Sequence, residues 1–341
     1  MKQYLQLVRE VLTQGTPVPS VQGVGALRLG YVPKMTFDFS ECHPVLTTRD
    51  MRGSMRAIVV EKLWMDSGST SIKPLHDQGV HIWDKWNLPN TRTRPEWQRP
   101  LNDLGPIYGH QFRNYGATRR KDGSYRNDGF DQISFILDGL KNDRYNRRLQ
   151  MTTFNPKDMP HQYIACCHGD IHFFVEKDGL RASHVQRSCD LLTGGAFDIV
   201  TYAYMLEMMG QCSGLPALGY ETTLHDCHIY LNQVAKLLGL LYPTGEFDEN
   251  GDEKMEIDER VLRWAEGSNR SLEELYSFET RVLEAATNGN ELADMLSRQP
   301  RPLPRLKIHP QKFDYFSFRP NDLSMCGYNP HPAIKGIPVL Q

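Results

Sequence analysis

Ile171-His172-Phe173-Phe174-Val175-Glu176 and, just beyond, Leu180-Arg181-Ala182-Ser183-His184-Val185-Gln186 are two runs rich in apolar and β-branched residues. With the stretches 148–154 and 163–167 before them, they read as successive strands of one sheet. Helical periodicity flanks this block on both sides. Ile133, Ile136, Leu137 and Leu140 predict a helix from Asp131 that ends near 141–143, and Phe197, Val200, Tyr204 and Met208 line one side of a helix over 197–211. Nearer the N-terminus, Tyr4, Leu5, Leu7, Val8, Val11 and Leu12 mark an amphipathic helix that stops at Gly15, with Pro17 beyond. Short strands follow over 26–39, and Met55, Ile58, Val59, Leu63 and Trp64 restore helical spacing over 54–65. The pattern is α+β, a mixed sheet packed with helices, without the strict βαβ alternation of a dinucleotide-binding fold.

We expect one catalytic domain over 1–341. Residues 87–103, rich in Pro, Arg, Thr and Asn, read as a surface loop. The segment 241–297 differs in composition: an acidic turn over 246–253 leads into two helix-like stretches, and Ser271 with Glu274 forms a capping-box pattern. It reads as a helical insertion whose Leu272, Leu275, Phe278 and Val282 form a packing stripe.

The whole chain has 341 residues, 40% of them hydrophobic, enough for a substantial core. Its 41 acidic and 39 basic residues leave a formal charge of −2, so there is no general cationic field for a nucleic-acid polymer and any phosphate site must be local. No apolar run reaches a membrane span, and the N-terminus lacks the apolar stretch of a signal peptide, so the expected location is the cytoplasm. The seven cysteines lack regular spacing in a chain too long to need staples, and read as reduced thiols.

One of those thiols stands out. Cys166-Cys167-His168, followed by Gln186-Arg187-Ser188-Cys189-Asp190, joins a thiol to a guanidinium and a carboxylate, and a nearby Arg favours the nucleophilic thiolate. A buried core cysteine is the plainer reading for any single Cys. A metal site competes, because Cys166, Cys167, His168, Asp170 and His172 are dense in ligand types, as are His225, Asp226, Cys227 and His228. Their spacing suits zinc poorly, and on a strand Cys167 and His168 would face opposite ways.

Further motifs occur in a telling order: 104–109 (Leu104 to Gly109), Asp131-Gln132-Ile133, Arg147-Arg148, Cys167-His168, 186–190, His228-Ile229-Tyr230, Pro300-Arg301-Pro302 and Tyr328-Asn329-Pro330. In this order and spacing the chain resembles the thymidylate synthase/deoxycytidylate hydroxymethylase family, over nearly its whole length except 87–100 and about 241–295.

The resemblance implies a thymidylate synthase-like fold with a dimer interface, and a reaction on a pyrimidine deoxynucleoside monophosphate with 5,10-methylenetetrahydrofolate as cosubstrate and no metal. Cys167 would be the nucleophile adding to C6 of the base, Glu61 the general acid/base, and Tyr108 an aid to proton removal at C5. Arg187 and Ser188, with Arg147 and Arg148 from the partner of a homodimer, would hold the phosphate. His228 and Tyr230 would bind the sugar hydroxyl, and His168 and Gln186 would also contact the nucleotide. Trp83, Ile164, Asp190 and Gly194 would face the folate, with Asp190 counted among the catalytic groups.

Two departures from the family pattern matter. In Gly194-Gly195-Ala196-Phe197-Asp198, an Asp stands where thymidylate synthases carry Asn. A carboxyl group accepts from a cytosine 4-amino group, so this change predicts cytosine, provided Asp198 or the base carries a proton. The alternative is that Asp198 merely caps the following helix. The second departure is Gln22, where the family has a phosphate-binding Arg; Arg28 is the nearby candidate to replace it.

From cytosine preference we expect a dCMP hydroxymethylase, by analogy with the cytosine-directed branch of the family. Trp83 and the tail 338–341 resemble synthases that exclude water, which leaves open reductive methylation by a thymidylate synthase or dCMP methylase, as well as hydroxymethylation of deoxyuridylate. An inactive nucleotide- or RNA-binding relative would not need Cys167, Glu61 and Tyr108 together.

Overall fold

The computed structural model describes residues 1–20, 23–40, 42–86, 102–247, 252–267, 270–277, 291–334 and 336–337. Gln22, residues 87–101, Phe278, Val282 and the tail 338–341 lie outside the described residues, as does the side chain of Leu275.

The chain opens with α1 (Lys2–Gln14), which buries Tyr4, Leu5, Leu7, Val8, Val11 and Leu12 along one side, as the spacing predicts. A four-stranded sheet is built from β1 (Thr16–Val18), β2 (Ala26–Arg28), β9 (Cys227–Tyr230) and β7 (Cys189–Asp190), in that order. The larger sheet runs β3 (Lys34–Asp38), β8 (Ala217–Leu224), β6 (Gly179–Gln186), β5 (Asp170–Glu176) and β4 (Gln150–Met151). Its β6–β8 pair is parallel and its other pairs antiparallel, so the sheet is mixed.

Both sheets meet α6 (Gly194–Ser213). This helix is apolar all round, not on one side as 197–211 suggested: its buried residues include Ile199, Val200, Tyr202, Ala203, Met205, Leu206 and Met209. A helix enclosed on every side has no need of an amphipathic stripe.

Around this centre stand α2 (Arg52–Asp66), the short α3 (Lys73–His76), α4 (Tyr108–Arg113), α5 (Gln132–Asn142) and α7 (Leu231–Leu237). Asp131 caps α5 by accepting from the Ser134 amide at 3.0 Å. On α2, Lys62 is buried and paired with Asp66 one turn on, and it donates to the Tyr315 hydroxyl at 2.8 Å. Arg113 of α4 donates to the Asp66 carbonyl at 3.0 Å and to the Asp131 carboxylate at 2.9 Å. These bonds tie α2, α4 and α5 together, and α2 carries Glu61.

Three expectations need correction. Residues 163–167 do not form a strand. Their backbone groups are committed elsewhere: Tyr163 N–H to the Leu104 carbonyl, Cys167 N–H to the Tyr108 hydroxyl, and the carbonyls of Ala165, Cys166 and Cys167 to Arg187. Of 148–154, only Gln150–Met151 joins the sheet.

The segment 241–297 opens not with helix but with an antiparallel hairpin of β10 (Leu241–Phe247) and β11 (Glu253–Ile257). Almost every residue of that hairpin is exposed, so it leaves no buried-face alternation for a sequence to reveal. Helices α8 (Glu259–Glu266), α9 (Leu272–Ser277) and α10 (Glu291–Ser297) follow. The Ser271–Glu274 capping box forms, with reciprocal bonds of 3.1 and 3.3 Å. No helix among the described residues is long and apolar enough to cross a membrane.

Candidate active site

Cys167 sits on the irregular turn before β5, and Arg187 leaves the end of β6 to wrap it. The guanidinium donates to the Cys166 carbonyl at 3.0 Å and the Ala165 carbonyl at 3.2 Å, and its terminal nitrogen lies 3.7 Å from Cys167 Sγ. Arg187 thus shapes the turn as well as facing the thiol. Burial raises the Cys167 pKa, and the Arg187 charge offsets only part of that rise. The expectation that Arg187 lowers the thiol pKa holds in sign for this one contribution, but desolvation outweighs it.

Tyr108, the first residue of α4, is buried and accepts from the Cys167 amide at 3.1 Å. Its ring stacks on His168 with centroids 4.4 Å apart. His168 is itself buried: Nδ1 lies 2.6 Å from the Tyr202 hydroxyl, and Nε2 lies 3.3 Å from Asp198 Oδ1. Burial drives its pKa down to about 3, so the imidazole is neutral at pH 7.

Asp198 is not a helix cap. The N-cap of α6 is Thr193, and Asp198 lies inside the helix with its side chain turned toward the pocket. Gln186 Nε2 donates to Asp198 Oδ2 at 2.5 Å, so each carboxyl oxygen has a partner. Burial first, and then the charge of Glu61, push the Asp198 pKa well above the usual carboxylate range. Glu61 projects from α2 and accepts from Trp83 Nε1 at 2.6 Å. Burial raises its pKa to about 7, against the opposing effect of that bond.

Trp83 is buried against Trp64, Trp86 and Tyr108, with centroid separations of 5.8, 5.2 and 6.0 Å. Trp86 Nε1 is buried without a partner among the described residues. This aromatic wall with an unused donor suits a flat heteroaromatic ring such as the pterin of a folate. Gly194, at the start of α6, leaves space that a side chain would share with Asp198, and Ile164 packs partly buried on the core. Asp190 lies deeper: its carboxylate accepts from the Thr193 hydroxyl and from Gln233 Nε2 at 2.8 Å, which ties β7 to α6 and α7.

A second cluster lies along β9. Ser188 Oγ donates to Asp226 Oδ2 at 2.8 Å, and Arg28 pairs with the other oxygen of Asp226 at 3.6 Å. Arg28 and Ser188 are therefore joined through one carboxylate. His228 Nδ1 lies 2.6 Å from the Asp226 carbonyl, while its buried Nε2 has no partner among the described residues, and Tyr230 stands edge-on to its ring at 4.7 Å. Arg147 and Arg148 are exposed in the turn between α5 and β4, and none of their described hydrogen bonds or ion pairs reaches this pocket.

A model of the thymidylate synthase family matches residues 2–339. The chain belongs to the thymidylate synthase family. It is accordingly a folate-dependent transferase that carries a one-carbon unit to a pyrimidine nucleotide, with methylenetetrahydrofolate as cosubstrate.

Two residues that the sequence alone does not single out contact the candidate residues. Tyr202 follows Asp198 by one helical turn on α6, the spacing that puts two side chains on one face, but a Tyr in an apolar helix reads as core. In the sequence Asp226 reads only as a metal-ligand type. Its position in the turn before β9, two residues from His228, is the available signal.

Proposed function

We propose that the chain transfers its one-carbon unit to C5 of dCMP and releases 5-hydroxymethyl-dCMP. The observation that carries this reading is Asp198, turned into the pocket from α6 and held between Gln186 and His168. Burial, together with the charge of Glu61, favours the protonated form of Asp198, which offers one O–H donor and an acceptor oxygen. Cytosine presents the matching pair, an N3 acceptor beside a 4-amino donor. Uracil presents the reverse pair, N3–H and O4, which an amide held in the opposite sense fits.

The remaining roles follow from position. Cys167 Sγ adds to C6 of the base as thiolate, which leaves C5 nucleophilic. Ionisation of the buried thiol is favoured by Arg187, and the phosphate of the nucleotide shares that guanidinium. His228 Nε2 and Tyr230 take the sugar hydroxyl, and Ser188, Arg187 and Arg28 face the phosphate. When bound, the folate supplies the one-carbon unit. Glu61, half protonated near pH 7, moves protons at the base and at the transferred carbon, and Tyr108 assists removal of the C5 proton. Once the transferred carbon has parted from its folate nitrogen, with tetrahydrofolate as leaving group, water adds to the exocyclic methylene, and expulsion of the Cys167 thiolate from C6 restores the ring and frees the product.

Arg147 and Arg148, exposed and unengaged with this pocket, act on the phosphate of the second subunit in a homodimer. A second reading, reductive methylation, is favoured by Trp83, whose buried ring excludes water beside Glu61.

Release of tritium from C5-labelled nucleotide, measured with methylenetetrahydrofolate present, tests the base assignment. The wild-type protein should release it from dCMP far faster than from dUMP. Asp198→Asn should shift the kcat/KM ratio toward dUMP by on the order of a hundred-fold or more, because the buried partners would then be mismatched to cytosine. An unchanged ratio in Asp198→Asn would mean that the base is read elsewhere.

A further inference from the structure

The loop that carries Trp83 also gathers metal-ligand atoms. His76 ends α3, His81 lies in the turn that follows, and Asp84 opens a 3-10 turn over Asp84–Trp86. His76 Nε2 is 2.5 Å from Asp84 Oδ1, and His81 Nδ1 is 2.9 Å from Asp84 Oδ2. One ligand atom from each residue lies within 4.8 Å of the other two.

The backbone that presents them is fixed locally. Gly79 N–H bonds to the His76 carbonyl at 2.8 Å, Val80 N–H to Leu75 at 2.9 Å and Asp84 N–H to His81 at 3.2 Å, while Leu75 and Val80 are buried beneath. The site is therefore prepared by short-range structure and does not depend on distant elements closing around it.

The geometry points to a divalent transition-metal site formed by His76, His81 and Asp84, separate from the Cys167 pocket, that takes a zinc-like cation with water in its remaining positions. Two imidazoles and one carboxylate are a donor set suited to zinc, cobalt or nickel, and too poor in oxygen for calcium or magnesium. The two rings stack with centroids 5.0 Å apart and planes 23° from parallel. For both to aim lone pairs at one ion, a ring must tilt, and His81 has room to do so with its side chain 62% exposed. Each neutral imidazole then keeps its proton on the outward nitrogen, and an imidazole that starts protonated releases one proton to solvent.

The position gives the ion a consequence. Trp83 lies between His81 and Asp84 in sequence and donates to Glu61, so an ion held on both sides of Trp83 restrains the contact that tunes Glu61. A ligand that binds only the folded chain also raises its melting temperature.

The test uses full-length protein treated with a chelator, exchanged into clean buffer and titrated with cobalt(II) chloride. The expected result is saturation at one equivalent per chain, visible ligand-field bands without a strong sulfur charge-transfer band in the near ultraviolet, quenched tryptophan fluorescence and a raised Tm. His81→Ala should lose all four responses while melting like the wild type without cobalt. Replacing the more accessible thiols, Cys42→Ser with Cys326→Ser, should keep them. Saturable binding that survives His81→Ala, a sulfur band lost in the cysteine variant, or no stoichiometric binding would each overturn the assignment.

Discussion

Glu61 and Asp198 place two carboxyl groups in one poorly solvated pocket, and the charge of Glu61 makes Asp198 harder to ionise. The consequence for stability has a definite sign. Glu61 has a folded pKa near 7 against an ordinary value of 4.5, so the folded state holds its proton more tightly. Its contribution is full below pH 4.5 and is lost as pH rises to about 7. Glu61→Gln removes that loss, so the variant should gain stability on the wild type progressively through this window, as read by urea unfolding at several pH values. Glu207, also raised to about 7 by burial, keeps a residual slope in both proteins, and the difference between them reports Glu61 together with its effect on Asp198. Parallel pH curves would show that Glu61 ionises normally. The same variant should lose most turnover, because an amide cannot move the proton. At this scale the sequence pointed to Glu61, Cys167, Arg187 and Asp198 through the family resemblance, and the fold brings these side chains within electrostatic reach of one another. It could not weigh burial against the Arg187 charge at Cys167, since desolvation depends on neighbours far along the chain.

Helix α6 carries Asp198, the carboxyl proposed to read the base, and its first turn decides where that carboxyl points. A Cβ on Gly195 would stand 2.7 Å from Cys189 Sγ, so the helix can approach β7 this closely only without a side chain there. Gly195→Ala gains at most about 1 kcal/mol in helix propensity, less so near close to the helix start. It should lose about 1–3 kcal/mol through overpacking, so the net effect is destabilising. The shift of α6 should also raise KM for the nucleotide more than it lowers kcat. Denaturant unfolding and steady-state kinetics check both, and a variant as stable as the wild type with unchanged KM would refute the tight α6–β7 contact. Elements with one buried side, such as α1 and α5, were legible from spacing. The exposed β10–β11 hairpin has no such side, and 163–167 has strand-like composition but gives its backbone bonds to Arg187, Tyr108 and Leu104.

At the scale of the whole molecule, the phosphate site as proposed is finished only by a second subunit. Arg147 and Arg148 project from the α5–β4 turn, while Arg187, Ser188 and Arg28 stand beside β9. Cys167→Ala and the double variant Arg147→Ala with Arg148→Ala should each be nearly inactive alone. Mixed under conditions that exchange subunits, they should regain activity, because one site of the mixed dimer then has its own Cys167 and its partner's arginines. A mixture that stays inactive would place the two arginines outside the partner's site. The chemistry at C5 is the central claim, and it is tested most directly by incubating the protein with dCMP and methylenetetrahydrofolate, weighing the product and following dihydrofolate absorbance in the same reaction. The account predicts a nucleotide heavier than dCMP by one CH2O unit, with no dihydrofolate formed; a gain of CH2 with stoichiometric dihydrofolate, or consumption of dUMP in place of dCMP, would contradict it.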